Sequence, residues 1–487
     1  MPERRAAADR HITRRRFLRE GAVWIGAGAL VPGALACSPQ GAQRDTGAVD
    51  PASIGDGPVL LRGGCVLSLD PAVGDFETAD VLIDGGRISA VGPDLDVPSQ
   101  ASLIDASGMV VMPGFVDTHR HMWQGAIRNS LPNGLIGDYI SDILGTMRPL
   151  YRPDDVYIGD LVSALGAISA GVTTVLDWSH IGNSPEHTDA AIGGLRESGV
   201  RAVYAFGSGV AGPQNGFPED IRRLRREHFS SDDQLLTLAM ATGVSAADWT
   251  LARDVGAPVT LHLAGPNPLR SVADAMGPDV TYIHCNNLDE ASWTMIADSG
   301  GHVSISTPVE MEMGLGVPPI QEALDHGIRP SLSVDVETEV PGDLFTQMRS
   351  VFTLQRMLLL GRQRAGEQNL PPLVTVREVI EFATVEGARD NHLDGKVGTL
   401  TPGKEADLIL LRMNDINVMP VNNVYGAIVL GMDTSNVDTV FIGGRAKKWQ
   451  GQLVGVDLAR IRGLAEQSRD GLVARAGWPR TILEGRP

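Results

Sequence analysis

The chain has 487 residues, which is enough for a large catalytic domain together with a smaller one. Its 59 acidic residues outnumber 41 basic ones and give a formal net charge of −18. That balance argues against nucleic acid or an anionic membrane surface as the main partner. With three cysteines in all, a disulfide framework is not expected.

The first 36 residues have the character of an export signal. Residues 13–19 read TRRRFLR, which resembles a twin-arginine motif. The apolar stretch from Gly21 to Ala36 is shorter than the about 20 residues that span a bilayer. Residues 34–36 match a small-x-small cleavage site, and Cys37 follows as a candidate for lipid attachment. We therefore predict a periplasmic or extracellular protein that contacts a membrane only through a lipid on Cys37.

Beyond the signal, the two ends of the chain are both predicted to be rich in β-strands. Residues 37–57 have the composition of a linker. Residues 58–113 and 396–455 contain short β-like runs separated by turns such as Gly85–Gly86. These runs form either two independent hairpins, which are marginal alone, or one small β-sandwich built from both ends. Residues 456–487 are predicted to form a helical tail.

Between these ends, residues 114–395 alternate strand-like with helix-like stretches such as Glu290–Ser299. One strand-like run contains His119 and His121. The other seven are Val172–Leu176, Ala202–Phe206, Leu235–Met240, Val259–His262, Val280–His284, His302–Ile305 and Pro330–Asp335. Eight such repeats predict an α/β fold, a (β/α)8 TIM barrel.

The most informative motif is PGFVDTHRH at residues 113–121. Side chains alternate along a strand, so His119 and His121 point to the same side. Two imidazoles aimed at one point make half of a metal site. The alternative is a pair of buried histidines, each satisfied by its own neighbours.

Three further candidate ligands end predicted strands: His262, His284 and Asp335. In a (β/α)8 barrel the carboxyl ends of the strands together build the active site. The sequence therefore predicts that these three side chains converge with His119 and His121.

The chain resembles the amidohydrolase superfamily, in the branch of cytosine deaminases and triazine hydrolases. The motifs that carry the resemblance are PGFVDTHRH, AGVTTVLD at 170–177, His284-Cys285, and GTLTPGKEADL at 398–408. The similarity covers roughly residues 58 to 455. It implies a barrel with a small β-sandwich made from both chain ends. It also implies a metal-activated water that attacks an sp² carbon, usually in a nitrogen heterocycle or an amide.

Imidazole and carboxylate ligands suit Zn²⁺ or Fe²⁺, and either ion lowers the pKa of a water that it binds. Many amidohydrolases bridge two ions with a lysine on the fourth strand. Here no lysine precedes Lys396, and the fourth strand-like run, Leu235–Met240, contains neither Glu nor Cys. We therefore predict one divalent metal ion.

The predicted ligands of this ion are His119, His121 and His262. Asp335 is either a fourth ligand or the base that lies beside the water. By resemblance, His284 polarises the substrate or stabilises a developing oxyanion. A structural role close to the metal is the alternative for His284.

One departure from the family pattern bears on the reaction. In the deaminase branch, a glutamate that shuttles protons stands three residues after the fifth-strand histidine, but here that residue is Gly265. Glu337 or Glu310 is predicted to replace it, unless both are solvated loop acids. The remaining alternative is that Asp335 alone acts as base and acid, as is thought of amide-cleaving members.

Other side chains near the predicted barrel mouth are candidates for a substrate-binding wall: Trp123, Gln124, Arg128, Asn286 and Glu310. His180 ends the second strand and is assigned to the wall rather than to the metal. Together these residues predict an exported hydrolase of C–N bonds that acts on a small molecule. A metal-dependent lyase, such as a decarboxylase, and a non-catalytic envelope protein are the alternatives. A homo-oligomer is compatible with this sequence.

Overall fold

The computed structural model describes residues 51–209, 216–266 and 269–478. The predicted signal segment, Cys37 and the linker up to residue 50 lie outside the described residues. Within the described part of the chain, no helix is both long and apolar enough to cross a bilayer.

Eight parallel strands follow one another around a barrel in chain order. The first and the eighth are joined by a bridge between Arg120 and Asp335. The Asp335 amide donates to the His119 carbonyl at 2.9 Å, and the His121 amide donates to the Asp335 carbonyl at 2.8 Å. The strands are Phe115–Arg120, Val172–Ser179, Arg201–Phe206, Leu236–Ala241, Val259–Ala264, Val280–Asn286, His302–Ile305 and Ser331–Leu332. Each of the eight predicted strands overlaps one of these, so the (β/α)8 prediction is confirmed.

Helices cover the outside of the barrel, and some of them begin at a polar side chain that caps the first turn. The Asp289 carboxylate accepts from the Ser292 amide at 2.9 Å, and the Asp343 carboxylate accepts from the Thr346 amide at 2.8 Å. The main helices are Pro153–Ser169, Pro185–Ser198, Ile221–Glu227, Ala246–Asp254, Glu290–Ser299, Ile320–Asp325, Leu344–Arg364 and Val376–Glu381.

Both ends of the chain build a second, mixed sheet of nine strands. Met109–Pro113, from the first end, pairs antiparallel with Leu408–Arg412 from the other. The remaining strands are Val59–Leu67, Asp75–Asp84, Arg87–Gly92, Ser102–Asp105, Val437–Ile442, Arg445–Trp449 and Gln452–Leu453. The expectation of one small β domain shared by both ends is therefore confirmed, and the two-hairpin alternative is wrong.

A buried ion pair joins this sheet to the amino ends of the barrel strands. Arg201, at the start of the third barrel strand, donates to both carboxylate oxygens of Asp407 at 2.8 and 3.0 Å. Asp407 also accepts from the Gly443 amide at 2.8 Å. The small sheet therefore closes the end of the barrel that lies opposite the predicted site.

The last described helix, Leu458–Ala476, packs on the helix Pro153–Ser169. Ser468 donates to the Asp155 carboxylate at 2.7 Å, and Arg475 donates to the Leu150 carbonyl at 3.0 Å. The predicted helical tail thus packs against the part of the chain that connects the first and second barrel strands.

Two buried carboxyl groups meet between the barrel and its first long helix. Asp160 on the helix and Asp177 on the second strand are both fully buried and interact with each other. Burial raises the pKa of Asp177 to about 7 and raises the pKa of Asp160 well above its ordinary value. At least one of these two carboxyl groups is therefore protonated at neutral pH.

This pair predicts how stability depends on pH. Because the pKa of Asp177 in the folded protein is raised, its contribution to stability is complete below about pH 4 and is lost as the pH rises through about 7. Asp177→Asn can still accept from the Met122 amide and can donate to Asp160. We expect this variant to match the wild-type Tm at pH 4 and to exceed it by a few degrees at pH 8. Thermal unfolding followed across this range measures the difference, with exposed Asp94→Asn as control. Equal pH profiles for the variant and the wild type would contradict the raised pKa of Asp177.

Candidate metal centre and active site

A cavity of about 360 Å³ opens at the carboxyl ends of the barrel strands. Its polar lining includes His121, His262, His284 and Asp335. These residues end the first, fifth, sixth and eighth strands, which is where the barrel fold places catalytic groups.

Four side chains bring their potential ligand atoms within 4.8 Å of one another: His119, His262, His284 and Asp335. His119 Nε2 lies 3.0 Å from Asp335 Oδ1 and 3.2 Å from His262 Nε2. His284 Nε2 lies 3.6 Å from Asp335 Oδ2. The predicted convergence of these strand ends is therefore present.

His121 joins the same cluster from the first strand. Its Nε2 lies 3.4 Å from Asp335 Oδ1, and its Nδ1 lies 2.8 Å from the carbonyl oxygen of Trp178. A carbonyl accepts only, so Nδ1 carries the hydrogen and Nε2 keeps its lone pair for a metal. The HxH pair thus faces one point, as the strand period predicts.

The cluster has the chemistry that a divalent ion needs. Burial lowers the pKa of His119 well below its ordinary value. Burial also lowers the pKa of His121 to about 3, because a second positive charge beside His119 would be unfavourable as well. Both rings are therefore neutral and can ligate at physiological pH. Neutral imidazoles with one carboxylate fit Zn²⁺ or Fe²⁺.

His284 has a different environment from the other histidines. Its Nδ1 lies 3.1 Å from Glu310 Oε1, which also accepts from the Ser306 amide at 2.9 Å. Burial opposes a charged ring, but the Glu310 hydrogen bond and the Asp335 charge raise the pKa of His284 above its ordinary value. Glu310 is fully buried, so it is not a solvated loop acid. Glu310 contacts the His284 ring on the side away from Asp335 and does not line the cavity.

Backbone strain is concentrated at the same strand ends. His284 has φ +68°, Cys285 has φ +59° and Asp335 has φ +69°. Non-glycine residues rarely adopt such left-handed conformations, which cost of order 1–3 kcal/mol each and cluster at functional sites. The surrounding fold therefore stabilises these positions against a local conformational cost.

The structure does not bring Glu337 to the cavity. Its Oε1 accepts from Arg128 Nε at 2.8 Å and lies 3.5 Å from Arg120 Nη1, while its Oε2 accepts from Ser163. Burial alone would raise the pKa of Glu337, but the charges of Arg128 and Arg120 lower it. Glu337 is therefore placed as an ionised structural partner and not as a group that moves protons.

This geometry predicts a loss of stability from Glu337→Gln. Removing one charge of a buried ion pair costs up to about 3–5 kcal/mol. Arg120 keeps its closer partner, the Asp117 carboxylate at 2.8 Å, so the cost here lies at or below the lower end of that range. We expect a clear fall in Tm with metal content retained and kcat within about threefold of wild type. Calorimetry and steady-state kinetics measure the two effects, with exposed Glu290→Gln as control. A large fall in kcat at unchanged Tm would instead favour Glu337 as a proton shuttle.

The other predicted substrate-binding residues lie behind the cavity. The Arg128 guanidinium forms an ion pair with Glu337. Trp123 Nε1 donates to His180 Nδ1 at 3.2 Å, Gln124 Nε2 donates to the Tyr139 hydroxyl at 2.7 Å, and Asn286 Nδ2 donates to the Val317 carbonyl at 3.2 Å. Trp123 and Gln124 therefore support residues that line the cavity.

The sequence analysis missed Tyr139 as a cavity residue and assigned His180 to the wall, where the structure also places it. Tyr139 lies on the helical segment after the first strand and lines the cavity. His180 stacks on His121, with ring centroids 4.1 Å apart, and also lines the cavity. No sequence motif marks Tyr139. Its position on the segment that follows the HxH pair was the one signal that could have indicated a place near the cavity.

Gly265 occupies the position where the deaminase branch has its glutamate. It has φ +79°, and a Cβ added there would meet no atom of the described residues within 4 Å. A longer side chain would have room, although it would be strained by the left-handed backbone.

Sequence comparison places this site in a family. The Amidohydrolase family model matches residues 110–447, and the chain belongs to that family. It is 26% identical over 446 residues to a 5-methylthioadenosine/S-adenosylhomocysteine deaminase of Pelotomaculum thermopropionicum, covering 86% of this chain and 99% of that protein. It is 24% identical over 441 residues to a 5'-deoxyadenosine deaminase of Methanosarcina mazei, with 86% and 99% covered. The chain is thus a hydrolase whose relatives act on C–N or related bonds.

Solved structures share the fold. An adenosine deaminase of Xanthomonas campestris with bound zinc superposes with a TM-score of 0.74 at 20% identity, covering 85% of this chain and 98% of that one. The atrazine chlorohydrolase of Arthrobacter aurescens TC1, complexed with zinc, gives a TM-score of 0.75 at 20% identity, covering 84% and 100%. At this identity the likeness concerns the barrel and its small domain.

Proposed function

We propose that this protein uses one divalent metal ion to open a cyclic amide by hydrolysis of its C–N bond. The observation that carries the proposal is the set of proton-transfer groups at the cavity. Asp335 faces it, Glu310 is held behind His284, and position 265 is a glycine. Asp335 is therefore the only carboxylate among the described lining residues.

A single carboxylate suits amide hydrolysis. A divalent ion held by His119, His121, His262 and Asp335 would acidify a water and polarise the amide carbonyl. Asp335 takes the proton from the attacking water and returns it to the ring nitrogen as the C–N bond breaks. Protonated His284 donates from Nε2 to the carbonyl oxygen as negative charge develops there. In the ring-opened product, the two fragments stay joined.

A single ion is supported because the fourth strand lacks a residue that could bridge two ions. The fourth barrel strand, Leu236–Ala241, reads LTLAMA, and the whole chain has no lysine before Lys396. A bridging carboxylate or carbamylated lysine therefore has no place on that strand.

Deamination is the second candidate, because the curated relatives are named as deaminases. It requires a group that gives protons both to the heterocycle and to the leaving nitrogen. Glu310 would have to do so through His284, since Glu310 contacts the His284 ring on the side away from Asp335. This relay is less direct than transfer by Asp335 alone.

Product analysis separates the two reactions. The zinc-loaded protein is incubated with cyclic amides and amino-heterocycles, and products are identified by mass spectrometry. Gain of one water without loss of ammonia supports amide opening, whereas replacement of an amino group by oxygen supports deamination. Loss of CO₂ would favour the lyase alternative. A Gly265→Glu variant that gains activity on an amino-heterocycle would show that the site is a deaminase that lacks its proton shuttle.

We also propose that the protein is exported through its twin-arginine segment, supported by residues 13–19. Replacing Arg14 and Arg15 with lysine should retain the protein inside the cell, and fractionation measures this.

Metabolic labelling with a lipid tests whether Cys37 is lipidated, with Cys37→Ser as control. Light scattering at several concentrations tests for the homo-oligomer.

A further inference from the structure

Apart from the metal cluster, the described wall of the cavity is almost entirely apolar. The side chains that face it include Ile136, Ile140, Leu144, Leu263, Met313 and Leu315. Among the described lining residues there is no Lys, Arg, Glu, Ser, Thr, Asn or Gln. A substrate bound here would therefore bury its body against hydrocarbon, which stabilises apolar surface by about 25 cal/mol per Å².

Two neutral hydrogen-bond donors, Tyr139 and His180, interrupt this wall, and the indole of Trp178 also lines the cavity. The Tyr139 hydroxyl accepts from Gln124 Nε2 at 2.7 Å, so its own hydrogen is free for another acceptor. His180 Nδ1 accepts from Trp123 Nε1, so the neutral ring carries its hydrogen on Nε2. Arg148 donates to the His180 carbonyl at 3.2 Å.

Gln124 donates a hydrogen bond to Tyr139 and Trp123 donates one to His180, and these bonds hold the two donors in place. Tyr139 is 6% exposed and Gln124 is fully buried, so the hydroxyl has little freedom to move. Burial raises the pKa of Tyr139 well above its ordinary value, with the Asp335 charge adding to the effect. The hydroxyl therefore remains a donor throughout the working pH range.

We infer that the cavity binds an uncharged, mostly apolar ring compound, and that the Tyr139 hydroxyl donates the hydrogen bond that orients an acceptor oxygen of that compound. This inference rests on the proposed function, and it deepens that function by naming the substrate class. The same wall disfavours nucleosides. Ribose hydroxyls buried without partners cost roughly 1–3 kcal/mol each by protein mutational measures.

Binding to the full-length, zinc-loaded protein tests the inference without requiring turnover. The probes are 5-phenylhydantoin, unsubstituted hydantoin and adenosine, measured by equilibrium dialysis with mass-spectrometric detection of compound and product. We expect 5-phenylhydantoin to bind at least about tenfold more tightly than either of the others, because only its phenyl group buries apolar surface on the wall. Adenosine binding as tightly as 5-phenylhydantoin would overturn the inference.

Variants test the two parts of the wall separately. Tyr139→Phe should weaken 5-phenylhydantoin binding about two- to tenfold, as expected for one hydrogen bond. Tyr151→Phe is the matched control, because it removes a buried hydroxyl that has no hydrogen-bond partner among the described residues. Leu144→Asn should narrow the preference for 5-phenylhydantoin over hydantoin, with exposed Leu103→Asn as control. Equal affinities for the Tyr139 and Tyr151 variants would remove Tyr139 from the site.

The two hypotheses fail in different ways in this experiment. If the probes bind in the expected order but no ring-opened product appears, the proposed function fails and the inference stands. If ring opening occurs but adenosine is the preferred ligand, the inference fails and the proposed function stands.

Discussion

Replacing Asp335 with asparagine is expected to lower kcat by about 10²–10⁴-fold, and by more if metal binding also weakens. The carboxylate lies 3.0 Å from His119 Nε2, 3.4 Å from His121 Nε2 and 3.6 Å from His284 Nε2. Asparagine keeps the shape of the side chain but cannot take the proton of the attacking water. Steady-state kinetics together with metal analysis of the same sample measure the loss.

The matched control is Asp298→Asn, an exposed carboxylate on an outer helix, which should leave kcat unchanged. Metal content distinguishes the two roles proposed for Asp335. Full metal content with low kcat identifies a base, and loss of both identifies a ligand. Activity within a few-fold of wild type would show that another residue takes the proton.

Replacing His262 with alanine is expected to reduce the bound divalent metal from about one ion per chain to a small fraction of that, and to abolish activity. His262 Nε2 lies 3.2 Å from His119 Nε2 at the centre of the cluster. Three imidazoles and a carboxylate complete a four-coordinate site, and losing one imidazole leaves three ligands. Elemental analysis after dialysis measures metal content.

His326→Ala is the control, because His326 pairs with Glu290 on the outside of the barrel. It should retain both metal and activity. Two tightly held ions per wild-type chain would contradict the single-ion proposal. Full metal content in His262→Ala would remove His262 from the ligand set.

Local pattern determined much of this architecture in advance. The eight strand-like runs are each only a few residues long, but their apolar composition and their alternation with helix-like stretches suffice to predict a barrel. The two-residue alternation of a strand likewise places His119 and His121 on one side. Both properties depend on neighbours in sequence, which is why no tertiary information was needed.

Glu337 shows where such reasoning stops. It lies two residues past Asp335, and proximity in sequence made it a candidate for proton transfer. After the eighth strand, however, the chain pairs with the segment following the first strand, since the Asn129 amide donates to the Glu337 carbonyl at 3.0 Å. The carboxylate therefore meets Arg128 and Arg120. Which of two nearby carboxylates faces a cavity depends on the direction of the backbone there, which sequence distance does not give.

The sequence by itself determined the barrel, the strand that holds the HxH pair and the set of residues able to ligate a metal, because strand period and residue chemistry are local. Only the tertiary structure decided how these residues meet. Closure of the barrel brings His119 within 3.0 Å of Asp335, 216 residues further along the chain. The same closure places Glu310 behind His284 and gives Tyr139 its position on an apolar wall. Those contacts follow from packing between distant segments, whose geometry no single stretch of sequence contains.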